Sequence, residues 1–316
     1  MKDVYIDHLS FSLGDETRTV EDSAARGRLV SSARVLKEAG FSSHHICSEK
    51  RSAYDLARSA VEKIEGDLRG IGAILYSTCL PVNGNAGDEK LFYETRDVKH
   101  LMDFPASHLQ SDFKLDAATV IGLNQQACTG MLGSLRVARM LLNTEPELGR
   151  VLCVTADRFP DAALYEQSYS LISDGAAACI ASFAPSGFRL LGHHAATNGA
   201  MAGASDDEAV GNYFSYTFKV IRDALIKAGL GIDDIDWIVP QNTNAKAWQI
   251  LSRLLGFDFG RVYFPSIGDV GHVISGDNII NLSRLIADGK IKPGERALLF
   301  MAGYGLNWQC VILEKV

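Results

Sequence analysis

The sequence predicts an α/β protein in which one helix-and-strand unit occurs twice. Short apolar runs of strand length alternate with stretches of helical periodicity. The order helix, strand, loop, helix, strand that runs from Ala53 to Ala156 recurs from Tyr213 to Phe300. At 316 residues the chain is also long for a single compact core, so two halves are expected, 1–196 and 197–316.

Val4 to Phe11 alternates weakly, as a strand does, and Arg28 to Ala39 reads as a helix ended by Gly40. Ala53 to Ile64 is expected as a long helix and Ile71 to Ser77 as a buried strand. Pro81 to Asp112 is polar and irregular, a length of loop that is usually functional or part of an interface. Leu115 to Leu123 reads as a buried segment of small and branched residues. The turn Asn124 to Gly133 follows, and Met131, Leu132, Leu135, Ala138, Leu141 and Leu142 then recur with helical spacing. Arg150 to Ala156 is the next strand; Ser173 to Ile180 turns into another, with Phe188 to Ala196 expected beside it. The Gly- and Asp-rich tract from Thr197 to Gly211 links the halves. In the second half, Tyr213 to Ala228 and Ile235 to Pro240 match the Ala53 helix and the Ile71 strand. Gly268 to Gly276 takes the place of the Asn124 turn, Asn278 to Ala287 that of the helix after it, and Glu295 to Phe300 that of the Arg150 strand.

The composition, 47% apolar and 22% charged, is that of a soluble globular protein. A net charge of −7 excludes the broad basic surface of a general nucleic-acid binder. The longest apolar runs are strand-sized, well short of a membrane span. The six cysteines lie far apart with no C-x-x-C pair, and no signal-peptide pattern opens the chain. A cytoplasmic protein with free thiols is expected. The adjacent pairs His44-His45 and His193-His194 point apart on a strand or a helix, so no metal site is expected.

Cys128 stands between a strand-like run and a helix, at or near the helix N-cap. The unpaired N–H groups of a first helical turn favour an anion by about 0.3 to 1 kcal/mol, which pushes a thiol towards thiolate. The plainer reading is one more small buried cysteine; Gly130 and Gly133 around it and Gln125 and Gln126 before it favour the chemical one.

Taken together, Ala127-Cys128-Thr129-Gly130, Ser173-Asp174-Gly175-Ala176-Ala177, Pro240-Gln241-Asn242-Thr243-Asn244, Gly271-His272 and Gly303-Tyr304-Gly305-Leu306-Asn307-Trp308 resemble the thiolase superfamily, in its ketoacyl-ACP synthase III branch. No single motif decides this; their order and spacing do. The resemblance implies a thiolase fold of five layers, α-β-α-β-α, with two pseudo-twofold-related halves, a homodimer, and an acyl-cysteine intermediate formed from acyl-CoA or acyl carrier protein. No cofactor is implied beyond the thioester substrate.

In that family a His and an Asn assist decarboxylative condensation. The position of the His is Gln241 here, and that of the Asn is His272. His272 can take a proton from Cys128 and later from an acceptor, since a neutral imidazole with an unperturbed pKa of about 6.5 suits that work. Asp277 or Asp269 would orient it, Asp277 being favoured; helix capping is the alternative for Asp277, and a satisfied core histidine the alternative for His272. Gln241 can only donate or accept a hydrogen bond. Asn242 and Asn244 are read as orienting substrate. By resemblance the oxyanion hole is the backbone N–H of Cys128 and one from Tyr304 in the glycine loop, one donor being worth about 3 to 4 kcal/mol. Lys246 holds the family's slot for a basic residue that docks acyl carrier protein, with Arg253 two turns along the same face.

Three functions are compatible with these residues. The first is an acyltransferase that loads Cys128 and passes the acyl group to a hydroxyl, amine or carbon nucleophile, as in family branches with an altered His/Asn pair that serve secondary metabolism. The second is a decarboxylating ketosynthase. The third is a non-catalytic partner subunit, which retention of Cys128 opposite a histidine disfavours.

Overall fold

The computed structural model describes residues 2–167, 170–203, 206–303 and 306–316. The chain opens with β1 (Tyr5–Leu13), β2 (Glu16–Thr19), α1 (Val20–Ala25), α2 (Ala33–Ala39) and β3 (Ser43–Ile46). Next come α3 (Ala53–Glu62), β4 (Ile71–Ser77), α4 (Glu89–Thr95), α5 (Pro105–Asp112) and β5 (Thr119–Leu123). Then α6 (Gly130–Thr144) leads to β6 (Arg150–Asp157), the two-residue strands β7 (Glu166–Gln167) and β8 (Ser170–Leu171), and the longer β9 (Gly175–Ser182) and β10 (Phe188–Thr197). The last part holds α7 (Asp206–Ala228), β11 (Trp237–Pro240), α8 (Ala245–Leu255), α9 (Asp277–Ala287), β12 (Arg296–Gly303) and β13 (Asn307–Lys315).

Local chemistry sets several of these ends. Ser52 caps α3, its Oγ accepting from Asp55 N while the Asp55 carboxylate accepts from Ser52 N. Gly40 ends α2 with a φ of 112°, a value that glycine alone adopts without strain.

Nine strands form one sheet in the order β11-β12-β13-β10-β1-β9-β6-β4-β5. It is two units joined by a narrow seam, because β1 meets β10 only at Tyr5 with Arg189 and Ile6 with Phe188. In the first unit β5, β4 and β6 run parallel, and β9 and β1 follow antiparallel. In the second, β11 and β12 run parallel, β13 and β10 follow antiparallel, and Val262 makes a single parallel bridge to Ile238 where β5 would stand. Order and direction therefore repeat.

The two faces of each unit are covered by different helices. Along β4, Ala73 and Leu75 pack with Leu132 of α6 and Ile279 of α9, while Ile74 and Tyr76 pack with Leu56 of α3 and Leu109 of α5. In the second unit Leu299 and Val311 turn to that same α6 and α9 layer, and Leu298 and Ile312 to Val220 of α7 and Trp248 of α8. The result is the five-layered α-β-α-β-α thiolase arrangement, with α6 and α9 as its middle layer.

Four expectations change. The break between sheet units falls before Phe188, not after Ala196, because β10 pairs with β13 and touches β1 rather than β9; alternation marks a strand but not its neighbour. β5 is largely exposed, not buried, since it is the sheet's outer edge. The helix expected from Arg28 begins at Ala33 under a Ser32 cap. The tract Pro81 to Asp112, expected to be irregular, folds into α4, α5 and two 3₁₀ turns.

Candidate active site

Cys128 lies in a 3₁₀ turn, Ala127–Thr129, that enters the 15-residue helix α6. Ala127 holds a φ of 45°, so the turn is drawn into the left-handed region at a residue with a side chain. Tethers hold it there. Thr129 Oγ1 donates to Gln126 O at 2.7 Å, and Gln309 Nε2 donates to Thr129 Oγ1 at 2.9 Å and to Gln126 Oε1 at 2.8 Å. Ser275, from the other half, donates to Ala127 O at 3.0 Å and accepts from Gly130 N at 3.2 Å. A Cβ on Gly130 would lie 3.0 Å from Ser77 Cβ and Oγ, which is why the helix can start this close to β4 only at a glycine.

His272 enters from the loop before α9. Its N–H donates to Leu171 O at 2.7 Å and its carbonyl accepts from Ser173 N at 2.8 Å, so the loop is fastened to β8 and to the Ser173-Asp174-Gly175 segment. The ring's Nδ1 meets Asp277 Oδ2 at 2.5 Å. Asp277 is fully buried as the first residue of α9, and its carboxylate also accepts from Asn242 N at 2.6 Å and Val273 N at 2.7 Å. The helix-capping alternative gives way, since Gly276 is the N-cap and the oxygens of Asp277 go to the loop. Asp269 lies apart, in a forked pair with Arg284 at 2.8 Å.

Burial by itself would depress the pKa of His272. The Asp277 charge and hydrogen bond, joined by a hydrogen bond with Cys128, outweigh it and raise the value to about 10. Asp277 thus favours the imidazolium over the neutral base expected from an unperturbed histidine. A cation in hydrogen-bond contact with a thiol favours the thiolate.

Other sequence-derived candidates have different surroundings. Gln241 is buried, and its Oε1 accepts from Ala302 N, tying the loop after β11 to β12. Asn242 was expected to orient substrate; instead it is fully buried, with Nδ2 donating to Ser266 Oγ and Gly271 O and Oδ1 accepting from Asn281. Asn244 caps α8, its Oδ1 accepting from Lys246 N at 2.9 Å. Lys246 and Arg253 are exposed on α8, and Lys246 Nζ lies 3.8 Å from Glu38. Of the two oxyanion positions, the Cys128 N–H lies against Gly303, whose added Cβ would sit 3.0 Å from that nitrogen. Tyr304 lies outside the described residues.

The family profile described as 3-oxoacyl-[acyl-carrier-protein] synthase III matches residues 124–199, and its C-terminal counterpart matches residues 225–315. A β-ketoacyl-[acyl-carrier-protein] synthase III of Rhizorhabdus wittichii is 24% identical over 87% of this chain and 88% of its own length. The chain belongs to the ketoacyl-ACP synthase III-like proteins of the thiolase superfamily. The synthase III of Chlamydia caviae is 26% identical over 60% of this chain and 65% of its own length. The solved structure of ChlB3, named as an acyltransferase, superimposes with a TM-score of 0.81 at 19% identity, over 99% of this chain and 98% of that one.

Within this synthase III-like frame, Ser275 and Cys79 were missed by sequence reading. Ser275 could have been found by matching Ile274-Ser275-Gly276-Asp277 to Ala127-Cys128-Thr129-Gly130. Cys79 packs beside Cys128 in the cluster that holds Ile46, Phe159, Ile172 and Ile274, and the two thiols hydrogen-bond. No spacing in the sequence links them.

Proposed function

We propose that this chain is an acyltransferase in which Cys128 takes an acyl group from an acyl-CoA or acyl carrier protein thioester and passes it to a hydroxyl, amine or carbon nucleophile. The observation that carries the reading is the series of half-buried Cys128 with buried His272 and Asp277, in which Asp277 favours the charged form of His272. It supplies a nucleophile, a proton carrier and an orienting carboxylate. The Cys128 thiolate attacks the thioester carbonyl, and the oxyanion develops against the Cys128 N–H. As the tetrahedral intermediate collapses, His272 protonates the departing thiolate, becoming neutral. It then takes the proton of the acceptor as that attacks the acyl-cysteine, and the imidazolium and thiolate are restored. Asp277 keeps Nδ1 engaged throughout, which leaves Nε2 for these transfers.

Exposed Ile250 and Leu254 share a face of α8 with Lys246 and Arg253. A mixed basic and apolar stripe suits an acidic carrier protein on a chain of net charge −7. The apolar, uncharged edge of β5 supports a homodimer, because antiparallel pairing about a twofold axis would cover it. Among the described residues no helix is long and apolar enough to cross a membrane.

The test is intact-protein mass spectrometry after incubation with a panel of acyl-CoAs and acyl carrier thioesters. An adduct in the wild type that is absent from Cys128→Ala is expected. A folded protein that takes no acyl group from any donor overturns the reading, and carbon dioxide released from a malonyl thioester shifts it to the decarboxylating synthase.

A further inference from the structure

The segment after β4 is clasped by a buried carboxylate. Asp157, at the end of β6 and 2% exposed, accepts through Oδ1 from Thr78 Oγ1 at 2.7 Å, Cys79 N at 2.9 Å, Leu80 N at 3.0 Å and Asn83 Nδ2 at 3.2 Å; its Oδ2 lies 3.1 Å from Cys79 N. Burial lifts the pKa of Asp157 to about 6, and the hydrogen bonds hold it from rising further. Four donors converging on one carboxylate leave residues 78–83 little freedom. The side chain they present is Cys79, packed with Cys128 among Ile46, Phe159, Ile172 and Ile274.

We propose that Cys79 is a second catalytic thiol, whose S–H donates a hydrogen bond to the Cys128 sulfur, and that Asp157 is the positioning residue that aims it. The hydrogen bond to Cys128, followed by burial, raises the Cys79 pKa. His272 stands against Cys128, so Cys128 is the sulfur whose charge is supported and Cys79 the donor. The inference rests on the acyl-transfer reading and deepens it. Thiolate is both the attacking group of the first half-reaction and the leaving group of the second. His272 and Cys79 together give it two donors, so the charge is supported on either side of the acyl-enzyme. No bond to Cys79 forms or breaks. The titratable groups around the pair are His272 and Asp277 from the loop before α9, Asp157 from β6, and Tyr165 with Asp174 across the apolar cluster.

The experiment needs no acyl donor. Alkylation of Cys128 by iodoacetamide is followed by peptide mass from pH 5 to 10 in the wild type, Cys79→Ala, Cys79→Ser and Asp157→Asn. Losing one hydrogen bond to the thiolate raises the midpoint in Cys79→Ala by roughly half a unit to one unit. The hydroxyl of Cys79→Ser restores it to within a few tenths of wild type. Asp157→Asn keeps the thiol but loosens the clasp, and shifts the midpoint the same way by less. An unchanged midpoint in Cys79→Ala overturns the proposal, as does an equal shift in the Ser and Ala variants. Should Cys79→Ala not fold, Asp157→Asn and Cys79→Ser decide: an unmoved midpoint in the first or an alanine-sized shift in the second overturns it. A shifted midpoint in a protein that takes no acyl group would sink the acyl-transfer reading, and with it the catalytic role of Cys79, while the hydrogen bond from Cys79 to the Cys128 sulfur would stand.

Discussion

At Ala127 and at Ile274 the backbone makes the same unusual move. A residue with a side chain takes a positive φ, 45° in one case and 46° in the other, and one 3₁₀ turn leads straight into a helix of the middle layer. The first turn carries Cys128 and starts α6 at Gly130; the second carries Ser275 at the matching place and starts α9 at Asp277. The two meet, since Ser275 Oγ bridges Ala127 O and Gly130 N. One turn presents the Cys128 sulfur. Its twin supplies a hydroxyl that braces the first turn and a carboxylate that charges the histidine opposite. A duplicated backbone device has thus been given two chemistries, and what separates them is a few side chains, not geometry.

The largest break in this comparison is Asp277→Asn. The amide cannot charge His272, so the thiolate and imidazolium pair collapses, and the acylation rate should fall by about 10³ to 10⁴, the scale seen when a triad carboxylate is neutralised. Stability carries a second signature. The folded pKa of His272 is raised from 6.5 to about 10, so its contribution is complete below about pH 6.5 and is lost as pH climbs through 10. Urea denaturation at pH 6.5 and pH 10 should show that fall in the wild type and a flatter profile in Asp277→Asn. An unaltered slope would mean that His272 is neutral. His44 behaves oppositely: burial depresses its pKa to about 4, while Ser23 Oγ and Ile172 O satisfy its ring, so it stays neutral and costs stability as pH falls below about 6.5.

Next in size is a methyl group added to each turn. Gly130→Ala puts Cβ 3.0 Å from Ser77 Cβ and 3.1 Å from Ser275 Oγ, between β4 and the twin turn, and should cost about 1 to 3 kcal/mol with a matching loss of acylation. Gly276→Ala meets its nearest atoms, on Val273 and Ala177, at 3.3 and 3.4 Å and at a negative φ. It should cost well under about 1 kcal/mol. Equal melting temperatures for the two variants would show that the turns are interchangeable in packing after all.

Why was one turn legible in the sequence and the other only partly? Cys128 advertises itself, because a cysteine among glycines before an amphipathic helix is a local pattern. His272 and Asp277 lie five residues apart, within reach of a local argument, and the structure brings them together. The repeat of strand and helix also reads from periodicity, whereas the strand order, and so the placing of β10 in the second unit, rests on long-range pairing. What stayed hidden was long-range in the same way. Asn242 looked available for substrate until Ser266, Gly271 and Asn281 closed around it. The upward shift of His272 follows from the Asp277 charge winning over burial, a balance that no spacing encodes.

The smallest effect is the one that isolates the bracing. Ser275→Ala removes the Oγ between Ala127 O and Gly130 N, 148 and 145 residues away in the chain, and leaves the rest of both turns unchanged. Both bonds are long, at 3.0 and 3.2 Å, and Ala127 O keeps a second lone pair, so the expected cost is about 1 kcal/mol. In a chain of this size that lowers the melting temperature by roughly 2 °C or less. The acylation rate should fall further than that stability loss predicts, because the lost bonds hold the turn that carries Cys128. Scanning calorimetry and the mass-spectrometric acylation rate, taken on the same preparation, separate the two. If the rate holds while the melting point drops, the twin turn is a rivet between halves; if the rate falls at nearly constant melting point, it is part of how the nucleophile is aimed.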